Sequence, residues 1–236
     1  MKNLIKKIIF GNKASSEEYV KYLRKIGCSI GDGTNIFYPL NTRIDNTRPW
    51  LIDIGKNVQI TEYVTILTHG YDWSVIKGKF GEICGSSGKV KIGDNVFIGM
   101  KTTILKGVTI GNNVVIGANS LVNKDIPDNV VVAGNPAKII MTIDEYYKKR
   151  RMVQKEEAVE CCIEYKKKYN EWPDKQKMRE FVWLFESRKN INDPVYKEIA
   201  SLVNNYEQTN DAFAHSKPEF NGYDEFIKYC EENYND

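Results

Sequence analysis

Histidine is scarce in this chain: only His69 and His215 occur in 236 residues. Two imidazoles far apart in sequence cannot supply a zinc centre that needs three histidine ligands. Cysteine is scarce and odd in number, at Cys28, Cys84, Cys161, Cys162 and Cys230. That spacing fits neither a zinc site nor a disulfide framework, and neighbours such as Cys161 and Cys162 seldom bridge each other. The expectation is reduced thiols in a cytoplasmic protein. Long apolar runs are missing too. No stretch approaches the roughly 18 residues of a membrane span. "MKNLIKKIIF" holds only Ile8-Ile9-Phe10 unbroken, too short for the apolar segment of a secretory signal, and no small-residue cleavage site follows. Nor is there an excess of either charge. Thirty-four basic against 31 acidic residues leave a net +3, which gives no support for a nucleic-acid partner.

What the sequence does have is a six-residue step. In "VKIGDNVFIGMKTTILKGVTIGNNVVIGANSLVNKDI", Ile92, Ile98, Ile104, Ile110, Ile116 and Val122 follow one another at intervals of six. An α-helix repeats every 3.6 residues and a half-buried strand every two, so neither requires this spacing. Ile30 and Ile36 start the step earlier, and Ile54, Ile60 and Ile66 continue it in the same frame, four steps after Ile30. From Ile66 to Ile92 the interval is 26 instead of 24, so the frame breaks inside residues 70–90. That glycine-rich stretch reads as a loop inserted between coils.

Other positions of the step agree. Counting the aliphatic residue as first, the fifth positions are Val58, Val64, Val96, Thr102, Val108, Val114 and Ser120. All are small or β-branched, suited to strand and a tight interior. Fourth positions include Asn57, Asn95, Gly107, Asn113, Asn119 and Asp125, residue types that tolerate positive φ at a sharp corner. Second positions include Gly55, Gly93, Gly99, Gly111 and Gly117. Each unit is then a short strand plus a turn, stable only when stacked on its neighbours, as in a solenoid.

The chain divides into three parts. Residues 1–27 are expected to be helical, with Ser15 or Ser16 as N-cap, Tyr19, Leu23 and Ile26 facing inward and Gly27 as the stop. Leu4, Ile5, Ile8 and Ile9 share one face ringed by lysines, suited to docking on the protein's own core or, alternatively, to an anionic membrane surface. Residues 28–141 carry the six-step. Residues 142–236 are rich in Tyr, Lys and Glu, nearly free of glycine, and expected to form an α-helical extension.

These residues resemble the hexapeptide-repeat acyltransferases, through the repeat itself and the ending "VNKDIPDNVVVAGNPAK". The resemblance implies a mainly β fold, a left-handed parallel β-helix in which three six-residue units make one coil. Ile92 would then stack on Ile110, Ile98 on Ile116 and Ile104 on Val122. The general crossover rule would have favoured the opposite hand. The likeness is greatest to the branch acetylating sugars and surface polysaccharides. It implies an acetyl-CoA-dependent transfer to a saccharide hydroxyl, no metal, and a homotrimer with active sites in clefts between neighbouring subunits.

By position, His69 in "ILTHGYDW" matches the family's catalytic histidine, a general base with a pKa near neutrality. His215 reads as a surface residue. Many relatives have Asp directly after this histidine, whereas here Gly70 follows and Asp72 comes later. Asp72 is therefore a candidate to orient His69 or to bind the sugar, with a plain turn residue as the alternative. Trp73 is a candidate to stack on a sugar or on the neighbouring subunit. Carried over by position, coenzyme A contacts fall on Met100, Ala118, Asn123, Lys124 and Lys138, the lysines pairing with phosphates as mobile point charges. No cysteine has a histidine nearby in sequence, so a thiol nucleophile finds no support. The same fold also hosts zinc carbonic anhydrases, excluded by the histidine count, and threonine-rich ice-binding arrays, for which Thr102, Thr103 and Thr109 are too few. The standing alternatives are N-acetylation of a nucleotide-linked amino sugar, antibiotic acetylation, and a trimeric partner-binding scaffold.

Overall fold

The computed structural model describes residues 2–234, without the side chains of residues 2–5. Two compact units divide the chain, Met1–Tyr146 and Tyr147–Asp236.

The first unit opens with α1 (Lys2–Phe10) and α2 (Ser16–Ile26), separated by a 3-10 turn at Gly11–Lys13 within the segment expected to be helical. Ser15 caps α2 by accepting from the Glu18 N–H at 3.2 Å, and Gly27 ends it in the left-handed region at φ 114°. Tyr19, Val20 and Leu23 face the core. Ile8 and Ile9 do not. They are 77% and 65% exposed, so that part of α1 is not docked on its own chain; the side chains of Leu4 and Ile5 lie outside the described residues.

Short strands follow, each closing on an inward aliphatic residue. They are β1 (Ser29–Ile30), β2 (Asn35–Ile36), β3 (Arg43–Ile44), β4 (Ile52–Ile54), β5 (Gln59–Ile60), β6 (Thr65–Ile66), β7 (Val90–Ile92), β8 (Val96–Ile98), β9 (Thr103–Ile104), β10 (Thr109–Ile110), β11 (Val114–Ile116) and β12 (Leu121–Val122). Successive strands visit three sheets in turn. The first holds β1-β4-β7-β10, the third β3-β6-β9-β12, and the second β2-β5-β8-β11, all parallel. The second continues into β13 (Val130–Ala133) and the antiparallel β14 (Lys138–Thr142). Ile92 pairs with Ile110, Ile98 with Ile116 and Ile104 with Val122, so three steps return the chain to the same sheet, as expected.

The earlier frame needs correction. Ile54 lies against Ile30, so the span between them is one enlarged coil and not four plain steps. The surplus enters at two 3-10 turns, Pro39–Asn41 and Pro49–Leu51, where proline fixes φ at the first position. The span from Ile66 to Ile92 likewise replaces a single step, joining β6 of the third sheet to β7 of the first.

Most corners of the plain steps obey one backbone rule. Asn57, Asn95, Asn113 and Asn119 sit at φ 55–58° and Gly107 at 80°. Tyr63 and Lys101 take the same conformation at φ 62° and 61°. Asp125 does not, because Ile126 follows Val122 after a shortened step and bridges to Ile110. Gly55, Gly93 and Gly111 stack in a column. A Cβ on Gly55 would stand 2.6 Å from the Gly93 backbone, and one on Gly93 2.7 Å from that of Gly111. The interior of the upper coils is aliphatic. Two buried hydroxyls there, Thr102 and Ser120, both donate to the Gly117 carbonyl, at 3.2 and 2.6 Å.

The second unit is helical around the aromatic cluster Phe185, Tyr196, Phe213 and Phe226, with the thiols of Cys162 and Cys230 buried beside them. It takes up most of α4 (Ile143–Tyr169) and α5 to α8, Val182–Phe185, Pro194–Ala200, Tyr206–Ala214 and Tyr223–Glu232.

Ile98 has no exposed surface. Ile98→Asp is expected to destabilise the first unit by several kcal/mol, since the buried carboxylate would have no partner. Denaturant unfolding checks this, and a variant of unchanged stability would place the interior column elsewhere.

Candidate functional site

His69 stands just past the end of β6, where the chain leaves the third sheet for the inserted segment. Backbone hydrogen bonds pin the neck of that insertion. Gly70 N–H donates to Ser86 O at 3.2 Å and Gly88 N–H to Thr68 O at 2.9 Å, while His69 and Ser87 form an antiparallel bridge. Inside the insertion, residues Trp73–Phe80 form helix α3 where a loop was expected. Gly81 ends it at φ 78°. Most of the glycines lie toward the ends of the segment and leave the run between them free to coil.

The His69 ring is one-third exposed, and its Nδ1 lies 2.7 Å from Oδ2 of Asp45. Asp45 directly follows β3, one coil below; its N–H donates to Ile66 O at 3.0 Å. Its side chain is 5% exposed. The carboxylate is saturated. Oδ1 accepts from the Thr47 N–H at 3.0 Å and the Thr47 hydroxyl at 2.7 Å. Oδ2 accepts from the Thr68 N–H at 3.2 Å, from the Thr68 hydroxyl, and faces His69. Burial alone would raise the pKa of Asp45. The hydrogen bonds from Thr68, Thr47 and His69 outweigh it and hold the carboxyl well below its usual range. An ionised carboxylate only accepts, so Nδ1 carries a proton, and in the neutral ring Nε2 is the nitrogen that keeps the lone pair.

Sequence reasoning missed Asp45. The six-step frame skipped over Ile44, and with it the residue that follows. Asp72, considered for orienting His69, caps the start of α3 without a side-chain hydrogen bond to it, and its Oδ1 lies over Gly70, where a Cβ would meet it at 2.2 Å. The carboxylate on Nδ1 is Asp45. Trp73 packs on Tyr71 with ring centroids 4.7 Å apart, and neither Asp72 nor Trp73 lines the cavity of about 530 Å³ that His69 and Asp45 share. Tyr71, Val75, Phe80 and Ile83 are each 65–73% exposed, so the insertion's apolar side chains are uncovered in the single chain.

Four of the other candidates fall on two corners. Asn123 and Lys124 follow β12 at the corner after the third sheet, two coils above His69. Met100, 44% exposed, and Ala118 stack at the corner after the second sheet, with Asn119 N–H donating to Met100 O at 2.8 Å. Lys138 opens β14 opposite Ala133. His215 is exposed on the helical unit, as expected.

The bacterial transferase hexapeptide (six repeats) profile matches residues 89–124. Protein CapG of Staphylococcus aureus is 41% identical over 146 residues, covering 62% of this chain and 81% of CapG. Galactoside O-acetyltransferase of Escherichia coli K12 is 41% identical over 119 residues, 50% of this chain and 57% of that protein. A solved galactoside acetyltransferase in complex with coenzyme A is 30% identical, covering 56% of this chain and 73% of that one, with a TM-score of 0.41.

Because the Asp45 carboxyl is held below its unfolded value near 3.9, its contribution to stability is complete above that pH and drains as the pH falls below it. Asp45→Asn is expected to cost roughly 1–3 kcal/mol at pH 7 and distinctly less at pH 3. Urea unfolding at the two pH values tests this; an equal cost at both would show that the carboxylate charge contributes nothing.

Proposed function

The chain belongs to the hexapeptide-repeat acyltransferase family, and from that premise we propose that it is an acetyl-CoA-dependent enzyme acetylating a hydroxyl of a sugar or surface-polysaccharide precursor. The observation that carries this reading is the Asp45–His69 pair, 2.7 Å apart, with Nε2 left uncommitted.

Nε2 of His69 removes the acceptor hydroxyl's proton as its oxygen attacks the thioester carbonyl. The imidazolium that forms is stabilised by Asp45, already ionised and fixed by Thr47 and Thr68. Collapse of the tetrahedral intermediate breaks the carbon–sulfur bond, and the imidazolium returns its proton to the departing coenzyme A sulfur. Acceptor and thioester react in one ternary complex, and no acyl-enzyme forms.

In this reading the three sheets wind as a left-handed β-helix, and three copies of the chain assemble with the site in the cleft between neighbours. Met100 and Ala118 meet the pantetheine arm, Asn123 follows, and Lys124 and Lys138 pair with the coenzyme's phosphates. The insertion reaches a neighbouring cleft, where Asp72 and Trp73 contact the sugar and the exposed apolar side chains of the segment find cover. The similarity to a galactoside O-acetyltransferase supports a saccharide acceptor.

Release of free thiol from acetyl-CoA with a panel of hydroxyl-bearing and amino-bearing sugars tests the activity. His69→Ala is expected to lower kcat by roughly 10²–10⁴-fold. Asp45→Asn should lower kcat by a comparable factor of about 10²–10⁴ while KM stays near its original value. A His69→Ala protein that turns over normally would defeat the assignment.

A further inference from the structure

The cavity that holds Asp45 and His69 also holds two cations, Lys13 and Arg43. Arg43 opens β3 two positions before Asp45, and its side chain is exposed. Its guanidinium has no hydrogen bond or ion pair among the described residues. Lys13 lies in the turn between α1 and α2, over the Tyr19 ring at 4.9 Å, and donates one of its three protons to Thr42 O at 2.9 Å. It has no carboxylate partner among the described residues either. The acid in the same cavity, Asp45, is filled by Thr47, Thr68 and His69. Two like charges therefore face a cavity whose single carboxylate, Asp45, is engaged elsewhere, and neither cation is paired with it. Burial, and after it the charge of Arg43, draws the Lys13 pKa below its usual range. A fold tolerates such a pair at a cost that an incoming anion removes.

Their place in the stack separates them from the coenzyme. Strand order in the third sheet is β3-β6-β9-β12. Arg43 is on β3, one coil below the strand that leads to His69, whereas Lys124 follows β12, two coils above it. Each coil adds about 4.8 Å. Thus the cations and Lys124, one of the two proposed coenzyme lysines, lie on opposite sides of the base.

Resting on the acetyl-transfer reading above, we propose that the acceptor is an anionic sugar, carrying a carboxylate or phosphate that Arg43 and Lys13 hold while a hydroxyl of the same molecule faces His69. Arg43 supplies a planar fork matched to either group, and Lys13 a second point charge. They set which acceptor enters, and His69 sets what is done to it.

The test is binding, measured by calorimetry on the full chain with coenzyme A present. The probes are sugar phosphates and methyl uronides, each against its neutral parent sugar. The wild type should bind at least one anionic probe about 10- to 100-fold more tightly than its parent. Arg43→Gln should erase most of that difference, and Lys13→Gln part of it. Salt should weaken the anionic probe and leave its parent unchanged. Equal affinity for both members of every pair, or no binding of any anionic probe, would overturn the proposal. So would Arg43→Gln weakening acetyl-CoA instead, which would give the cations to the coenzyme. An undiminished kcat in His69→Ala would defeat the transfer reading while leaving the charge discrimination in place, so the two failures are separable.

Discussion

An interior enclosed by three very short strands has room for little more than one aliphatic side chain per wall at each level. That restriction governs the first unit. Ile92, Ile98 and Ile104 fill one coil, and Ile110, Ile116 and Val122 the next, each lying on its counterpart in the coil below. A wall this short must turn at every step of the repeat, so the corners go to residues that accept a positive φ, and glycine occupies the points where adjacent coils meet backbone to backbone. A hydroxyl inside needs an acceptor, as the Gly117 carbonyl answers Thr102 and Ser120 and the Asp45 carboxylate answers Thr68.

The same restriction explains why the repeat was legible in the sequence. A single residue type recurs because a single environment recurs, and the predicted partners of Ile92, Ile98 and Ile104 are those observed. Legibility failed where residues leave the walls. The two 3-10 turns in the first coil together add one whole step, which preserves the arithmetic of six and conceals that Ile54 lies directly on Ile30. Helix α3 was hidden for another reason. Its segment was judged by the glycines around it, and those glycines bound the helix without interrupting it except at Gly78.

At the site, His69 was legible because its sequence context matches a known pattern, and Asp45 was not. Proximity across coils depends on how many residues each turn contains. The long stretch of chain separating Asp45 from His69 gives no local signal that they meet. Arg43 and Lys13 were overlooked for the same reason, since each alone is an ordinary surface cation. Only the third sheet, by setting β3 beside β6, makes neighbours of Asp45, His69 and Arg43.

Asp45 and His69 belong to different coils, and the lower of the two is the first of the stack. Solenoids open from their ends, because a terminal coil has a neighbour on one side only. The first coil is also the one stretched by two excursions and covered by α2, whose Ser16 hydroxyl accepts from the Ile36 N–H at 2.8 Å. Fraying there would separate the pair while the upper coils stayed folded. With Asp45 and His69 in the roles proposed for them, warming the protein should then silence turnover before any global melting is visible, and the enzyme's thermal limit would be set by its bottom coil.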